Sequence, residues 1–478
     1  MNKGETRKKA LNVRTNEMLA AGQQNGMDWV KENTAILVVH GIGNQLPLET
    51  MDQFARGLIT EYAGSGDIND FLVEHVVVER KNDGDPWFDN VLRIRKKLIS
   101  STDSTNELYD DNHIDLYEYY WADHTEDKAD FNDINDWLQG VVRGANKYYK
   151  RNAALGIECG DQSALFRNEE FNYLRYKAFI SIMGNIIVWL TLLLDSLKKL
   201  LLLVPVGGVL LERQAHRYTG GKLRDVANIL GDIVIYNVVD PKSKYYDMRK
   251  HILEGAVKAI QFLVERKDKT NDEGDFELAY PSIIIAGHSL GSQVAYDALN
   301  RINFLVNESK IDNYDCNGIC EKPLGRKGRQ IVQQLRGFVT FGSPLDKIAF
   351  FLRENIPSDQ FVRRQLLNNF HGFKQKDWNV GEEQNGFKVK NNLCRRLDDM
   401  RWRNYYDMKD YVSGALDYYE GLTNINCDFG KKGWFAFTHS DYWTHAPFYR
   451  DIISNFLTEK NLAEAEKYRE NTVSANEI

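Results

Sequence analysis

The stretch Ile283-Ile-Ile-Ala-Gly-His-Ser-Leu-Gly291 joins an apolar strand to a sharp turn. Ile283–Ala286 is short, apolar and β-branched, which is typical of a strand buried on both faces of a parallel sheet. Gly287-His288-Ser289-Leu290-Gly291 follows directly, and a helix-compatible segment comes after it. A Gly-x-Ser-x-Gly turn between strand and helix strains the serine backbone, and the glycines avoid clashes. The sequence therefore predicts that Ser289 is a nucleophile at a helix N-terminus.

Strands and helices are predicted to alternate along the chain, which favours an α/β fold with a mostly parallel sheet flanked by helices. The strongest further strands are Ala35–Val39 and Phe338–Phe341. Weaker strands are predicted at Phe71–Val78, Ile114–Trp121, Ile233–Val238 and Trp402–Tyr406, and helices at Met51–Tyr62, Met248–Val264 and Gln293–Asn300.

A second glycine motif, His40-Gly41-Ile42-Gly43, follows the Ala35–Val39 strand. Acyl transfer needs hydrogen-bond donors aimed at the oxygen that becomes negative, and glycines let backbone N–H groups approach it closely. The N–H groups of Leu290 and Ile42 are the candidate donors of an oxyanion hole, with Gly41 or Gly43 as substitutes for the second donor.

A serine hydroxyl needs a base, and three histidines follow Ser289 in the chain. His439 is the preferred base, because it follows a strand-like apolar stretch, Trp434–Phe437, near the C-terminus; His445 and His371 are the alternatives. Tyr442 and Trp443 are candidate pocket-lining residues beside it.

The base in turn needs a carboxylate that fixes its tautomer. Asp410, which follows the Trp402–Tyr406 strand, is favoured over Asp346, which follows Phe338–Phe341; Asp407 is a third option.

Together HGIGNQ, GHSLGS, FGSPLD, DYVSG and THSDYW resemble the α/β-hydrolase superfamily and, within it, lipase-like serine hydrolases. The resemblance covers residues 33–122 and 225–457. It implies an eight-stranded, mostly parallel sheet, a Ser-acid-His triad, and hydrolysis of esters, thioesters or amides without a cofactor. By matching position, it makes Ser289 the nucleophile, His439 the base and Asp410 the acid, although some lipases place the acid one strand earlier, at Asp346. The family's first two strands are expected to be missing, because only a short polar segment precedes Ala35.

An apolar, mainly helical insertion is predicted at residues 131–224, between the two parts of the catalytic domain (31–130 and 225–465). Residues 1–30 are expected to be an N-terminal extension and 466–478 a C-terminal tail. The insertion contains two uncharged runs, Ala178–Leu194 and Leu200–Leu211. Three interpretations remain open for residues 178–211: a buried helical cap, a lid that contacts lipid, and a transmembrane hairpin.

Composition narrows the classes of partner. The 61 basic and 68 acidic residues give a net charge of −7, which disfavours nucleic-acid binding. Five cysteines in 478 residues indicate reduced thiols, and Cys316 and Cys320 lack a second ligand pair at zinc spacing, so no metal or other cofactor is expected. The charged N-terminus lacks an apolar segment typical of a secretion signal, so the expected location is cytoplasmic, with peripheral membrane contact an option.

These observations predict a serine hydrolase that cleaves an ester, with a lipase or phospholipase preferred because an apolar insertion can hold an acyl chain. A soluble carboxylesterase or acyl-thioesterase is the second hypothesis. A non-catalytic binding or assembly module with a hydrolase fold is the third. Composition and motifs leave the oligomeric state open.

Overall fold

The computed structural model describes residues 27–41, 46–82, 85–98, 108–121, 131–152, 166–167, 170–178, 236–237, 245–270, 276–307, 332–357, 359–370, 373–374, 395–410, 412–430 and 438–458. Their strands, in chain order, are β1 (Thr34–Val39), β2 (Phe71–Asn82), β3 (Asp85–Lys97), β4 (Tyr109–Tyr119), β5 (Phe166–Arg167), β6 (Glu170–Phe171), β7 (Lys267–Thr270), β8 (Phe276–Leu278), β9 (Ser282–His288), β10 (Leu335–Phe341), β11 (Arg401–Tyr406) and β12 (Leu422–Asn426).

Eight of these strands form one mixed sheet in the order β2-β3-β4-β1-β9-β10-β11-β12. The six strands from β4 to β12 in that order run parallel, whereas β3 is antiparallel to both of its neighbours. The predicted α/β architecture with a mostly parallel sheet is therefore confirmed. The carboxyl ends of β1, β9, β10 and β11 lie at one edge of the sheet, where the candidate site residues follow.

Helices cover both faces of the sheet, because the side chains of a strand alternate between its faces. Ala35, Leu37 and Val39 of β1 face one core, and Ile36 and Val38 face the other. The helices are α1 (Glu49–Ala63), α2 (Phe131–Arg151), α3 (Tyr246–Glu265), α4 (Leu290–Asn307), α5 (Leu345–Leu352), α6 (Phe361–Phe370) and α7 (Ala446–Ile452). The first core also takes residues of α2 to α5, and the second takes residues of α1 and α7.

The predicted strands are confirmed where they are apolar, at Ala35–Val39, Ile283–Ala286 and Phe338–Phe341, and also at Phe71–Val78 and Trp402–Tyr406. The prediction Ile114–Trp121 extends too far, because β4 ends at Tyr119.

The predicted strand Ile233–Val238 is wrong where it is described. Tyr236 and Asn237 form a helical end and a turn, not a strand. The side chains explain why: the Arg249 guanidinium lies 5.6 Å from the centroid of the Tyr236 ring, and the Asn237 amide exchanges two hydrogen bonds with Gln293. These tertiary contacts outweigh a local β propensity. The remaining residues of that prediction lie outside the described part.

The first helix of the predicted insertion, α2, packs closely against α5. A Cβ atom on Gly144 would lie 2.0 Å from the carbonyl oxygen of Phe350, and one on Gly140 would lie 2.5 Å from the Phe351 ring, so only glycines allow this approach. Apart from Ala178, the uncharged runs of the insertion lie outside the described residues. In the part that is described, no helix combines the length and the apolar character needed to cross a membrane.

A buried charge network anchors the sheet at the end remote from the site. Asp115 in β4 is fully buried and accepts two hydrogen bonds of 2.8 Å from Arg93 in β3 and one of 2.7 Å from Tyr280. Burial by itself raises the pKa of Asp115, but the hydrogen bonds and charges of Arg93 and His113 outweigh it and hold the pKa well below its usual range.

We expect Asp115→Asn to lower the free energy of unfolding by about 3 kcal/mol, because it leaves the Arg93 guanidinium without its buried counter-charge. Chemical denaturation measures the change. The matched control is Asp52→Asn, which removes the carboxylate of an exposed ion pair with Arg56. An equal shift of the denaturation midpoint in both variants would contradict the larger contribution expected of the buried carboxylate.

Candidate active site

Ser289 occupies a strained turn between β9 and α4. Its φ is +51°, in the left-handed region that non-glycine residues rarely adopt. The flanking glycines permit this turn: a Cβ atom on Gly287 would lie 2.5 Å from Ser292 Cα, and one on Gly291 would lie 2.2 Å from the carbonyl oxygen of Val39. The strained turn between strand and helix that the sequence predicts is therefore present in the backbone.

The backbone of Ser289 is fixed by hydrogen bonds, whereas its hydroxyl is not. The Ser289 N–H donates to the carbonyl oxygen of Phe341 over 3.0 Å, and the Ser289 carbonyl accepts from the Ser292 N–H (3.0 Å) and hydroxyl (2.5 Å). The Ser289 side chain is buried, and its Oγ makes no hydrogen bond to any residue that the structure describes. That hydroxyl is consequently available to another partner.

The segment after β1 lies directly against the serine. A Cβ atom on Gly41 would lie 2.5 Å from Ser289 Cβ, so this position requires glycine. His40 holds the segment in place: its Nε2 accepts from the Trp121 N–H (2.8 Å), its carbonyl accepts from the Trp121 indole (3.1 Å), and its Nδ1–H donates to the Gly41 carbonyl.

The candidate oxyanion donors are only partly described. Leu290 is the first residue of α4, so its N–H is among those without an acceptor inside the helix. Ile42 and Gly43 lie outside the described residues.

His439 is paired with Asp410. The Nδ1 atom of His439 lies 2.9 Å and 3.1 Å from the two carboxylate oxygens of Asp410, and both side chains are buried. Since a carboxylate only accepts, Nδ1 carries a proton, and in the neutral form of the ring Nε2 keeps a lone pair.

Asp410 is held as an anion. Burial by itself raises the pKa of Asp410, but the charge of His439 and the hydrogen bonds from His439 and the Val412 N–H outweigh it and hold the pKa well below its usual range. The carboxylate can therefore stabilise a positive charge on the His439 ring.

Tyr442 contacts the acid instead of lining an open pocket. Its hydroxyl donates to Asp410 Oδ2 over 2.9 Å and accepts from the Asp407 N–H over 3.0 Å, and the side chain is fully buried. Burial and the charge of Asp410 raise the pKa of Tyr442 well above its usual value, so the hydroxyl stays a donor. A tyrosine three residues after the candidate base carried no sequence signal for this role.

The two alternative acids have other partners. Asp346 accepts from the N–H groups of Asp417 (2.8 Å) and Tyr418 (3.1 Å). The Asp407 carboxylate accepts from the N–H groups of Lys409 and Phe429 and from the Thr438 hydroxyl, which immediately precedes His439. Each of these carboxylates orders backbone near the site, and Asp410 is the one that contacts the imidazole.

His445, one of the two alternative bases, is not part of this arrangement. His445 precedes α7, and its ring packs edge-on against Phe429 at a centroid distance of 4.9 Å. Burial lowers the pKa of His445, although the charge of Asp407 opposes this. His371 lies outside the described residues.

His288 connects the serine side of the site to the histidine side. Its ring centroid lies 4.9 Å from that of His439, and its Nε2–H donates to the carbonyl oxygen of His439 over 3.2 Å. Burial, followed by the charge of His439, lowers the pKa of His288 to about 3. His288 is therefore neutral at physiological pH and acts as a packing and hydrogen-bonding group. From the sequence, His288 is predicted only to be part of the Gly287–Gly291 turn.

Three chemically complementary groups thus lie at the carboxyl edge of the sheet: a buried hydroxyl on a strained turn, and an imidazole in contact with a carboxylate. Such a set can take a proton from an alcohol and hold the resulting imidazolium. Among the described residues, no group of three or more acidic, histidine or cysteine side chains is arranged to hold a metal ion.

Comparisons with known proteins add no relative. The chain matches no family model, no curated protein and no solved structure. Any functional conclusion consequently depends on the chemistry and geometry of the site.

Gly342 tests how tightly the histidine is held. Its φ is +64°, and a Cβ atom there would lie 3.0 Å from His439 Cε1 and 3.3 Å from His288 Nε2. We expect Gly342→Ala to lower the free energy of unfolding by about 1 kcal/mol through backbone strain and by a further ~1–3 kcal/mol through overpacking, as measured by chemical denaturation.

The matched control is Gly430→Ala. Gly430 has a φ of +67°, and no atom of the described residues would lie within 4 Å of a Cβ atom added there. This variant should show the backbone effect alone. Equal losses for the two variants would mean that the His439 and His288 rings yield freely, contrary to the close packing.

Proposed function

We propose that this protein is a serine hydrolase that cleaves acyl esters with Ser289 as nucleophile, His439 as base and Asp410 as acid. The observation that carries the proposal is the paired contact of His439 Nδ1 with the Asp410 carboxylate, at the same sheet edge as the strained Ser289 turn. A histidine that only filled the core would not need a buried carboxylate held in its ionised form.

In the proposed reaction the Ser289 hydroxyl attacks the ester carbonyl while its proton passes to His439 Nε2. Asp410 stabilises the imidazolium, and the Leu290 and Ile42 N–H groups donate to the oxygen that becomes negative. The proton then moves to the departing alcohol, which leaves an acyl group on Ser289. Water attacks this acyl-enzyme by the same route and releases the acid. No cofactor is needed.

The fold supports the proposal in the order of its strands. β1 precedes the glycine segment, β9 the serine, and β11 the acid, and these strands are close neighbours in the parallel part of the sheet. This is the arrangement expected of an α/β-hydrolase. The sheet continues beyond β4 with β3 and β2. Both strands follow β1 in the chain. They occupy the side of the sheet where the family's first two strands, which are expected to be missing before β1, would lie.

A lipid ester is the proposed substrate class, in a protein at a membrane surface. The support is the composition of the insertion, whose uncharged runs at 178–194 and 200–211 offer apolar surface for an acyl chain. In a soluble carboxylesterase or acyl-thioesterase the same segments would pack as core.

We expect a fluorophosphonate probe to label the wild-type protein and not Ser289→Ala. Asp410→Asn should slow labelling by about 10³–10⁴-fold, because an amide cannot stabilise the imidazolium. The rate of labelling, followed by intact-protein mass spectrometry, measures both effects.

Asp346→Asn is the matched control for the acid, since it makes the same chemical change on a neighbouring carboxylate that binds backbone N–H groups. Its effect should be much smaller than that of Asp410→Asn. The reverse order would reassign the acid, and equal labelling of wild type and Ser289→Ala would leave a binding or assembly module as the better description.

Substrate class is tested with p-nitrophenyl esters of increasing chain length. A lipid hydrolase should gain about fourfold in kcat/KM per CH₂, which corresponds to ~0.8 kcal/mol for each methylene that is buried, until the pocket is filled. The Ser289→Ala variant gives the background rate. A kcat/KM that stays flat or falls beyond the shortest esters would favour the soluble esterase.

A further inference from the structure

The segment that carries Asp410 is held from one side by two consecutive, oppositely charged residues of α5. We name residues 407–410 and 412–418 the acid loop. Asp346 accepts from the N–H groups of Asp417 and Tyr418, and the Lys347 ammonium donates to the carbonyl oxygens of Val412 and Ser413, at 2.7 Å each.

Lys347 contacts Val412, a residue that is itself hydrogen-bonded to the acid. The Val412 N–H donates to Asp410 Oδ1 over 2.9 Å, while the Val412 carbonyl accepts from Lys347. Val412 is therefore fixed at both of its backbone polar groups, one by the acid and one by the lysine. The same residue thus joins the lysine contact to the hydrogen bond that caps the carboxylate.

The charges around Lys347 are consistent with this role. Burial lowers the pKa of Lys347 to about 8, and the charges of Asp410 and Asp346 oppose that shift. The ammonium donates to two carbonyl oxygens, so two of its three N–H groups are engaged by the acid loop.

Helix α2 of the insertion also contacts the acid loop and the segment after α5. The Tyr148 hydroxyl of α2 donates to the carbonyl oxygen of Asp417 over 2.6 Å, and Arg151 forms a 2.5 Å ion pair with Glu354, just after α5. With Gly144 packed on Phe350, α2 and α5 form one unit against which the end of the acid loop rests.

We propose that Lys347 is a positioning residue for Asp410: by holding the Val412 and Ser413 carbonyls, it keeps the carboxylate aligned on His439 Nδ1. The inference rests on the proposed function, because alignment matters only if Asp410 is the acid of a triad. It extends the catalytic unit to α5 and to the first helix of the insertion.

The test is a double-mutant cycle read out by the rate of fluorophosphonate labelling. Lys347→Met keeps the length of the side chain and removes its donors, and we expect a loss of about 10²-fold, as for a small misplacement of a catalytic group. In an Asp410→Asn background the same substitution should change the rate by no more than about twofold. Equal losses in both backgrounds would show a general structural effect and overturn the proposal.

Two further variants sharpen the cycle. Lys347→Arg retains donors and should restore part of the rate. Lys250→Met removes a lysine that pairs with Glu254 on the exposed side of α3, and should leave the rate unchanged. A loss in Lys250→Met equal to that in Lys347→Met would also overturn the proposal.

A measurement that does not need activity separates this proposal from the proposed function. The proton on His439 Nδ1 should give a downfield NMR resonance that disappears in His439→Gln. We expect Lys347→Met to shift or broaden it and Lys250→Met to leave it unchanged. A resonance that depends on Lys347 in a protein that the probe does not label would refute the hydrolase and keep the coupling. Labelling of the wild type with a resonance unaffected in Lys347→Met would refute the coupling alone.

Discussion

The geometry of the site depends on one constraint, the left-handed backbone of Ser289 between a strand and a helix. Such a conformation costs free energy in any residue with a side chain, so the surroundings must hold it. Hydrogen bonds from the Ser289 N–H to Phe341 and from Ser292 to the Ser289 carbonyl do so. The turn also brings Gly41 against the serine, which ties the loop after β1 to the same point. With an extended backbone at Ser289, the serine would lose these hydrogen bonds and its contact with Gly41.

Around this turn the polar groups form successive supports. His439 contacts Asp410, Asp410 contacts Tyr442 and Val412, and Val412 contacts Lys347 of α5. The bonds that Asp410 makes with His439, Tyr442 and Val412 are buried, so water cannot replace a partner that is lost there. The arrangement of the acid therefore depends on residues of α5, of the loop after β11 and of the segment that follows His439, and α2 of the insertion rests against the same loop.

The sequence predicted the parts of this molecule that have a strong local signal. Apolar β-branched runs identified β1, β9 and β10, and the glycine spacing identified the turn at Ser289. It failed for polar edge strands such as β12, and for β3, although Asp83-Gly84 is a hairpin signal that could have found the β2–β3 pair. Asp410 was preferred over Asp346 and Asp407 on strand order alone. The separate tasks of those three carboxylates follow from tertiary contacts that no local pattern encodes, as do the roles of Tyr442 and Lys347.

The position of β1 in the middle of the sheet also governs how the chain can fold. Thr34 pairs with Ile114 on one side and with Ser282 on the other, so the second neighbour is made long after the first. During synthesis on the ribosome, β1 can pair with β4 on one side, but its other side stays unpaired until β9 has been synthesised. Pairing between such distant segments slows folding, and the backbone N–H and C=O groups on that side of β1 stay unpaired in the meantime. Until then the unpaired side of β1 is open to pairing with another chain.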